Sequence, residues 1–268
     1  MKRMISISAL FLVILAALII YSALSTADAS TSDTVSMDSA NQLYENGEFR
    51  QAVEAYEQIA DLGVRDSTLY YNLGNAYFKL EDFGRAILNY RRAQVLAPRD
   101  GDTRTNLDLA RAQALDQLDT PGNEIFSSQM AHFTQQWFTL NEFSLLALGL
   151  WFTFVALLIA YNTSKPQSRL REGLQYALIA AVILMLFGSI SLGSRLYLEK
   201  TQPAGIVVAG EIDVKSGPGA QYITEFTLHN GAEVSILETR GNWARLSLPG
   251  GELQGWMSTE ALEAVEKN

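Results

Sequence analysis

Two long apolar runs dominate the pattern of hydrophobic and polar positions along the chain. They cover residues 143–161 and 174–192, with an extension of the second run to 198 left open, and neither contains a charged side chain. A helix needs about 20 apolar residues to cross about 30 Å of hydrocarbon. The pattern therefore predicts two transmembrane helices, joined by the polar loop 162–173.

The loop between the two runs predicts how the chain lies in the membrane. Because the loop is short, the two helices must be antiparallel, and the regions before and after them lie on one side. Lys165, Arg169 and Arg171 place the loop in the cytoplasm, since positively charged loops stay inside. We therefore expect a multi-pass protein of the cell membrane, inner or cytoplasmic, whose two flanking regions are extracytoplasmic.

The N-terminus has the pattern of an export signal. Lys2 and Arg3 precede an apolar run over 5–21, and small residues follow at 25–29. Residues 1–27 are predicted to be a cleaved signal peptide, and an uncleaved N-terminal anchor remains the alternative. Residues 28–38 lack periodicity and predict a flexible spacer.

A helical period begins near residue 39, and the pattern then occurs a second time. Identical residues recur at one constant spacing in the pairs Asn41 and Asn75, Phe49 and Phe83, Ala52 and Ala86, and Tyr56 and Tyr90. The second copy contains Tyr70, Leu73, Gly74, Tyr77, Ala86, Tyr90, Ala93 and Pro98. This set of residues and its period resemble the tetratricopeptide repeat. Residues 39–120 are thus predicted to form an all-α solenoid of two repeats, closed by a capping helix over 102–118.

The small residues of the second repeat have a physical reason. Gly74 and Ala86 are expected where antiparallel helices approach closely, and Asp82 and Gly84 are expected in the tight turn between them. Pro98 ends the second helix because it lacks an N–H donor.

The resemblance to tetratricopeptide repeats implies a partner-binding groove, lined by the first helix of each repeat. Amide side chains in such a groove can hold the backbone or carboxylate of an extended protein partner. The alternative is that the aromatic residues only pack and the amides only cap or face solvent. The candidate groove residues are Asn41, Tyr44, Tyr71, Asn72, Asn75, Phe78 and Asn106.

Residues 121–142 connect the solenoid to the first apolar run. Thr120 and Pro121 break the helix, and aromatic residues follow. Trp137 and Phe138 are expected at the level of the lipid headgroups, where aromatic rings are favoured. This segment is therefore predicted to lie along the outer membrane surface.

Residues 203–268 have a different composition, with more Gly and Val and alternating apolar positions. Strands are predicted at 205–209, 212–215, 226–228, 233–238, 243–247 and 254–257, with a short helical turn at 259–262. The motifs Gly241-Asn242-Trp243 and Gly255-Trp256-Met257 resemble a bacterial SH3-like domain, which implies a small all-β barrel, closed or nearly closed. The resemblance implies a peptide or glycan-peptide ligand, with Tyr222 and Trp243 as the candidate binding surface.

Charge and composition narrow the classes of function. The net charge is −9, and the two regions outside the membrane are acidic, so nucleic acid is not an expected partner. The chain has no Cys and only two His, His132 and His229, and it shows no paired carboxylates or Ser, His and acid set. We expect no cofactor, no metal and no catalytic residue. An enzyme of unknown reaction remains a distant alternative.

The order of signal, tetratricopeptide repeats, two membrane helices and SH3-like domain resembles the BatE-type proteins of the bacterial aerotolerance operon. That resemblance implies a membrane-anchored scaffold that works with von Willebrand factor A (VWA) domain membrane proteins and a MoxR-type ATPase system, in stress or envelope function. Binding of peptidoglycan through the SH3-like domain, for cell-wall sensing or targeting, is the alternative.

Overall fold

The computed structural model describes residues 36–116, 134, 136–201, 203–251 and 253–265, without the side chains of 198–201. The predicted signal peptide 1–27 lies outside the described residues. Most of the spacer 28–38 and most of the segment 121–142, including His132, also lie outside them.

The described N-terminal region, 36–116, is a solenoid of five α-helices. They are α1 (Met37–Glu45), α2 (Phe49–Asp61), α3 (Ser67–Lys79), α4 (Phe83–Leu96) and α5 (Gly101–Gln113). Side chains cap four of the five N-termini, because they accept hydrogen bonds from amides that have no partner within the helix. The capping residues are Ser36, Asp66, Asp82 and Asp100.

Close helix packing explains one of the two glycines of the second repeat. A Cβ on Gly74 would lie 2.7 Å from the Cδ1 and Cε1 atoms of Tyr90, so only glycine lets α3 approach α4. Ala86 is fully buried, as close packing requires. Gly84 differs from its predicted position in the turn, because it is the second residue of α4. The residues that require a glycine at position 84 lie in the C-terminal part of the chain and are described below.

Two long apolar helices follow, α6 (Leu140–Thr163) and α7 (Arg169–Thr201). They pack against each other, and most of their side chains are exposed. Within the described residues, both are long and apolar enough to cross a membrane by length and composition. Two polar contacts hold their ends, because Arg99 of the solenoid forms an ion pair with Glu142 and Arg195 donates to the Phe138 carbonyl.

The region from 203 to 265 is an antiparallel β-sheet, which we call the β module. Its strands are β1 (Ala204–Val207), β2 (Glu211–Lys215), β3 (Thr224–His229), β4 (Glu233–Arg240), β5 (Trp243–Ser247), β6 (Gln254–Ser258) and β7 (Leu262–Ala264). A 3-10 turn, Thr259–Ala261, precedes β7. Each strand predicted from the sequence overlaps an observed one, and the short β7 was not predicted.

The order of the strands across the sheet is β3, β2, β6, β5, β4, β1, β7. The most buried members of its apolar core are Val207, Val214, Ala232, Leu246 and Met257. Within the described residues β3 and β7 are edges, so the sheet is not closed and the predicted barrel is not confirmed.

The β module packs directly against the outer side of the solenoid. The contact is close at two glycines. A Cβ on Gly84 would lie 2.0 Å from Asn230 Oδ1 and 2.6 Å from the Val207 carbonyl, and a Cβ on Gly231 would lie 2.9 Å from the Ala114 Cβ. Gly231 also has a φ of +96°, which favours glycine. The packing against the β module therefore explains why α4 has a glycine at 84.

Polar contacts surround this apolar contact. Arg92 of α4 donates to the carbonyls of Val265 (3.1 Å) and Ala264 (3.0 Å), at the end of β7. It also lies 3.5 Å from Glu263, and Asn230 Nδ2 donates to Asp82 Oδ1 over 3.2 Å. The solenoid and the β module, far apart in the sequence, therefore form one continuous folded region.

Candidate partner-binding groove

An asparagine and tyrosine network connects the first helices of the repeats, and it occurs twice, at equivalent positions of successive repeats. We call each copy of this network a rung. In the first rung, Asn41 Oδ1 accepts hydrogen bonds from Tyr56 Oη (2.6 Å) and Asn72 Nδ2 (3.0 Å). The second rung has the same geometry, in which Asn75 Oδ1 accepts from Tyr90 Oη (2.7 Å) and Asn106 Nδ2 (2.9 Å). The identity between repeats in the sequence thus becomes an identity of side-chain contacts.

The rungs fix how their amides are oriented. In the second rung the oxygen of Asn75 and the nitrogen of Asn106 are used internally, and Asn106 Nδ2 also donates to Tyr71 Oη over 3.1 Å. Among the described residues, no hydrogen bond reaches Asn75 Nδ2 or Asn106 Oδ1, and neither is a buried unsatisfied atom. The second rung therefore keeps one donor group and one acceptor that make no hydrogen bond within the described residues.

A pocket of about 310 Å³ lies beside the second rung. The first helices of the two repeats, α1 and α3, supply its walls together with α4 and the capping helix α5. The lining residues are Tyr44, Tyr71, Asn75, Phe78, Lys79, Tyr90, Asn106 and Leu109. Lys79 is the charged member of this set, so the described wall is aromatic and amide-rich with one positive charge at its edge.

Ring contacts hold the aromatic wall in place. Tyr44 packs edge-to-face against Phe49 at 5.3 Å between ring centroids, and Phe78 packs against Phe83 in the same way at 5.5 Å. These two pairs again occupy equivalent positions of the two repeats. Burial, together with the neighbouring Tyr71, raises the pKa of Tyr44, so its hydroxyl stays neutral and can donate a hydrogen bond.

The hydroxyl groups of the tyrosines in both rungs, Tyr56 and Tyr90, are also neutral. Burial is the main cause that raises the pKa of Tyr56 to about 12, and it also raises the pKa of Tyr90. Both hydroxyls therefore remain donors to the asparagine oxygens at any physiological pH.

Five of the predicted groove residues lie together in the pocket wall: Tyr44, Tyr71, Asn75, Phe78 and Asn106. The other two, Asn41 and Asn72, form the first rung, one repeat away. Sequence reasoning missed Lys79, Tyr90 and Leu109. Leu109 is 52% exposed, but a single leucine gives no signal for a binding surface in the sequence, because isolated exposed apolar residues are common.

The two predicted β-module residues lie in different surroundings. Tyr222 is 42% exposed, in the loop between β2 and β3, with its ring against Gly217. Trp243 is half-buried at the start of β5, opposite Arg240 and Ser258. Tyr222 and Trp243 therefore belong to different elements of the β module, the loop after β2 and the start of β5.

Other chemistry is limited in the described part of the chain. Residues 36–116, 134, 136–201, 203–251 and 253–265 contain no group of three His, Cys, Asp or Glu that could hold a metal ion. His229 is a contact residue, because its backbone N–H donates to Asp116 Oδ2 over 2.6 Å and its Nδ1 lies 3.0 Å from Oδ1.

Comparison with known families identifies the repeats. The Tetratricopeptide repeat family matches residues 37–101, which covers α1 to α4 and the start of α5. A search of curated proteins found no match for this chain. Repeats of this family are typically non-catalytic modules of protein–protein interaction. The tetratricopeptide prediction is therefore confirmed over residues 37–101, and repeats of this kind suggest a module of protein–protein interaction.

Proposed function

We propose that this chain is a non-catalytic scaffold anchored in the cytoplasmic membrane, with the solenoid and an SH3-like β module both outside the cytoplasm. The solenoid binds an extended segment of a protein partner in its groove. On the resemblance to BatE-type proteins, the partners belong to a stress or envelope assembly that contains VWA-domain membrane proteins and a MoxR-type ATPase. The lipid bilayer is the remaining partner.

The observation that carries this proposal is the pair of identical rungs along the groove. Each rung offers one N–H donor group and one carbonyl acceptor, and this pair is complementary to the C=O and N–H of one peptide unit. Because the two rungs are equivalent, they suit an extended chain that passes both. Binding through the backbone would tolerate many partner sequences.

The groove pocket adds selectivity to that backbone contact. Its volume of about 310 Å³ is at the small end for ligand sites, which suits one large apolar side chain between Tyr44, Phe78 and Leu109. Lys79 at the edge favours an acidic residue or a terminal carboxylate beside that side chain. The expected ligand is therefore an extended segment with one apolar and one acidic group.

The packing of the β module supports the proposed membrane arrangement. Residues 36–116 and 203–265 contact each other directly, and this contact supports a common side for both regions if α6 and α7 cross a membrane. Lys165 lies in the connection between those helices, and Arg169 and Arg171 lie in the first turn of α7. Their charge favours the cytoplasm for this end of the helix pair and the exterior for the two folded regions.

A photo-crosslinking experiment tests the groove. A photo-reactive residue replaces Leu109, and illumination of native membranes is expected to capture a protein. Asn75→Asp in the same background keeps an acceptor oxygen for the rung but replaces the NH2 donor with a negatively charged oxygen, so capture should fall at least tenfold. Asn242→Asp, which adds the same charge at an exposed turn of the β module, is the matched control. Equal capture in all three chains would reject the groove.

The absence of Cys makes the membrane arrangement directly testable. Single cysteines at Ala112, Leu170 and Asn242, all exposed, report on the solenoid, the helix connection and the β module. A membrane-impermeant maleimide added to intact spheroplasts should label the first and third positions and spare the second. Labelling at Leu170 alone would show the opposite orientation.

A second candidate function rests on the exposed apolar side chains of the β module. Tyr222, Ile223 and Leu253 are 42%, 72% and 53% exposed. Exposed apolar residues of this kind are typical of binding surfaces, and peptidoglycan is the ligand that the SH3-like resemblance implies. The full chain should then sediment with isolated cell wall, and Tyr222→Ala should reduce sedimentation. No sedimentation of the parent chain would reject this function.

A further inference from the structure

Helix α5 carries two residues of the groove pocket, Asn106 and Leu109, but few residues that anchor it. Within α5 the buried side chains are Thr103, Leu107 and Ala110. A helix of about 13 residues is only marginally stable in water without tertiary contacts. The position of the pocket wall therefore depends on what else holds α5.

The β module supplies contacts along the C-terminal half of α5 and just beyond it. Arg111 Nε donates to Glu233 Oε1 over 2.5 Å. Three residues later Ala114 lies against Gly231, and Asp116 accepts one hydrogen bond from the His229 backbone N–H. In a solenoid the next repeat would cover this end, and here the loop between β3 and β4 covers it.

Glu233 connects α5 to its neighbour as well as to the β module. Its Oε2 lies 3.4 Å from Arg91 Nε on α4, while its Oε1 accepts from Arg111 on α5. Burial alone would raise the pKa of Glu233, but the charge of Arg91 and the hydrogen bond from Arg111 outweigh it and hold the pKa below its ordinary value. Glu233 is therefore a carboxylate that joins two arginines on two helices.

Those two helices carry the inner part of the groove pocket. Tyr90 precedes Arg91 on α4, and Leu109 lies two residues before Arg111 on α5. In the second rung, Tyr90 of α4 and Asn106 of α5 both donate to Asn75. The distance between α4 and α5 therefore determines whether both hydrogen bonds can form. A contact from outside the solenoid thus acts on the groove through the helices between them.

We propose that the β module is the terminal cap of the solenoid, and that Glu233 is a positioning residue of the groove, which holds α5 against α4. The claim about ligand binding rests on the proposed function of the groove. The claim about α5 stands on the contacts alone. The β module then belongs to the binding unit itself.

The test uses the full chain in lipid nanodiscs and measures amide hydrogen exchange by mass spectrometry. Glu233→Gln removes the charge of the bridge with little change in shape, and exchange of residues 104–113 should accelerate at least tenfold. Exchange in α2, which the β module is not expected to hold, should stay the same. Glu263→Gln is the matched control, because Glu263 forms ion pairs with Arg85 and Arg92 of α4 but not with α5.

Two further variants keep the result decisive. Glu233→Asp retains the charge but shortens the side chain, and it should restore most of the protection of α5 against exchange. If the shape of the side chain and not its charge held α5, Glu233→Asp would not restore that protection. If Glu233→Gln does not fold, Arg111→Gln removes the α5 end of the bridge and leaves the contact between Glu233 and Arg91 in place. Unchanged exchange in α5, or equal acceleration by Glu263→Gln, would overturn the proposal.

Ligand capture distinguishes the two proposals. With the photo-reactive residue at Leu109, Glu233→Gln should lower capture in proportion to the loss of protection in α5. With the same residue at Tyr44 on α1, capture should change less. Faster exchange in α5 with no capture in the parent chain would reject the groove as a ligand site and leave the capping role supported.

Discussion

Gly84→Ala is the sharpest test of the contact between solenoid and β module. The added Cβ would lie 2.0 Å from Asn230 Oδ1 and 2.6 Å from the Val207 carbonyl. Carbon atoms normally approach other heavy atoms no closer than about 3.4 Å, so one partner must move by about 1 Å. The Asn230 side chain can rotate, but the Val207 carbonyl belongs to the backbone at the end of β1.

Two opposing energies decide the outcome. Replacement of glycine by alanine inside a helix stabilises that helix by about 1 kcal/mol. Overpacking at a tight contact costs about 1–3 kcal/mol, and displacement of Asn230 also removes its hydrogen bond to Asp82. The solenoid helix should therefore become slightly more stable while the docked state of the β module becomes less stable by about 1–3 kcal/mol.

The His229 amide is a direct reporter of docking, because it donates to Asp116 across the contact. A loss of about 1–3 kcal/mol corresponds to an acceleration of its hydrogen exchange of roughly 5- to 150-fold. Mass spectrometry of a peptide that covers 227–231 measures this change. Gly101→Ala is the control, since nothing lies within 4 Å of its added Cβ. Unchanged exchange at His229 in Gly84→Ala would show that the contact is not tight.

Three further perturbations probe other parts of the structure. Gly74→Ala would push its Cβ into the Tyr90 ring at 2.7 Å, so thermal unfolding should show a loss of about 1–3 kcal/mol; no loss would contradict the close packing of α3 and α4. Because the pKa of Glu233 is lowered in the folded state, its contribution to docking is present above the ordinary carboxyl pKa and is lost as pH falls through the lowered value. Hydrogen exchange of residues 104–113 should therefore accelerate over that acidic range. An exchange rate that does not change with pH in this way would argue against the bridge. Arg92→Lys keeps the charge but loses the planar fork that reaches two carbonyls at the end of β7, so exchange there should rise several-fold; the parent rate would show that the fork is not needed.

Features that depend on local spacing could be predicted from the sequence. The identical residues at one constant spacing predicted the repeat, and in the structure they become the two rungs that contain Asn41 and Asn75. Alternation of apolar residues predicted six strands to within two residues at most ends, because the side-chain period of a strand is local. Five of the eight residues that line the pocket were among the candidates, which came from the resemblance to tetratricopeptide repeats, and Lys79, Tyr90 and Leu109 were not.

Features that depend on distant contacts could not be predicted. Gly84 suits a turn as well as it suits a helix in contact with a sheet, and only Asn230, from the far end of the sequence, separates the two explanations. Glu233 and Arg111 carry no motif, since one acid and one base are common on any surface. The edges of the sheet also depend on how strands bend in space, so alternation alone could not establish whether β3 and β7 meet.

The length of α7 has a mechanical consequence. At 33 residues and 1.5 Å per residue it measures about 50 Å, against about 30 Å for the hydrocarbon layer, and only residues 202 and 203 separate it from β1. Because α7 is a rigid helix that ends so close to β1, the two elements have little freedom to move independently. In the proposed membrane arrangement, a tilt or an axial rotation of α7, such as a neighbouring membrane helix could impose, would therefore move β1 and the surface that packs on it.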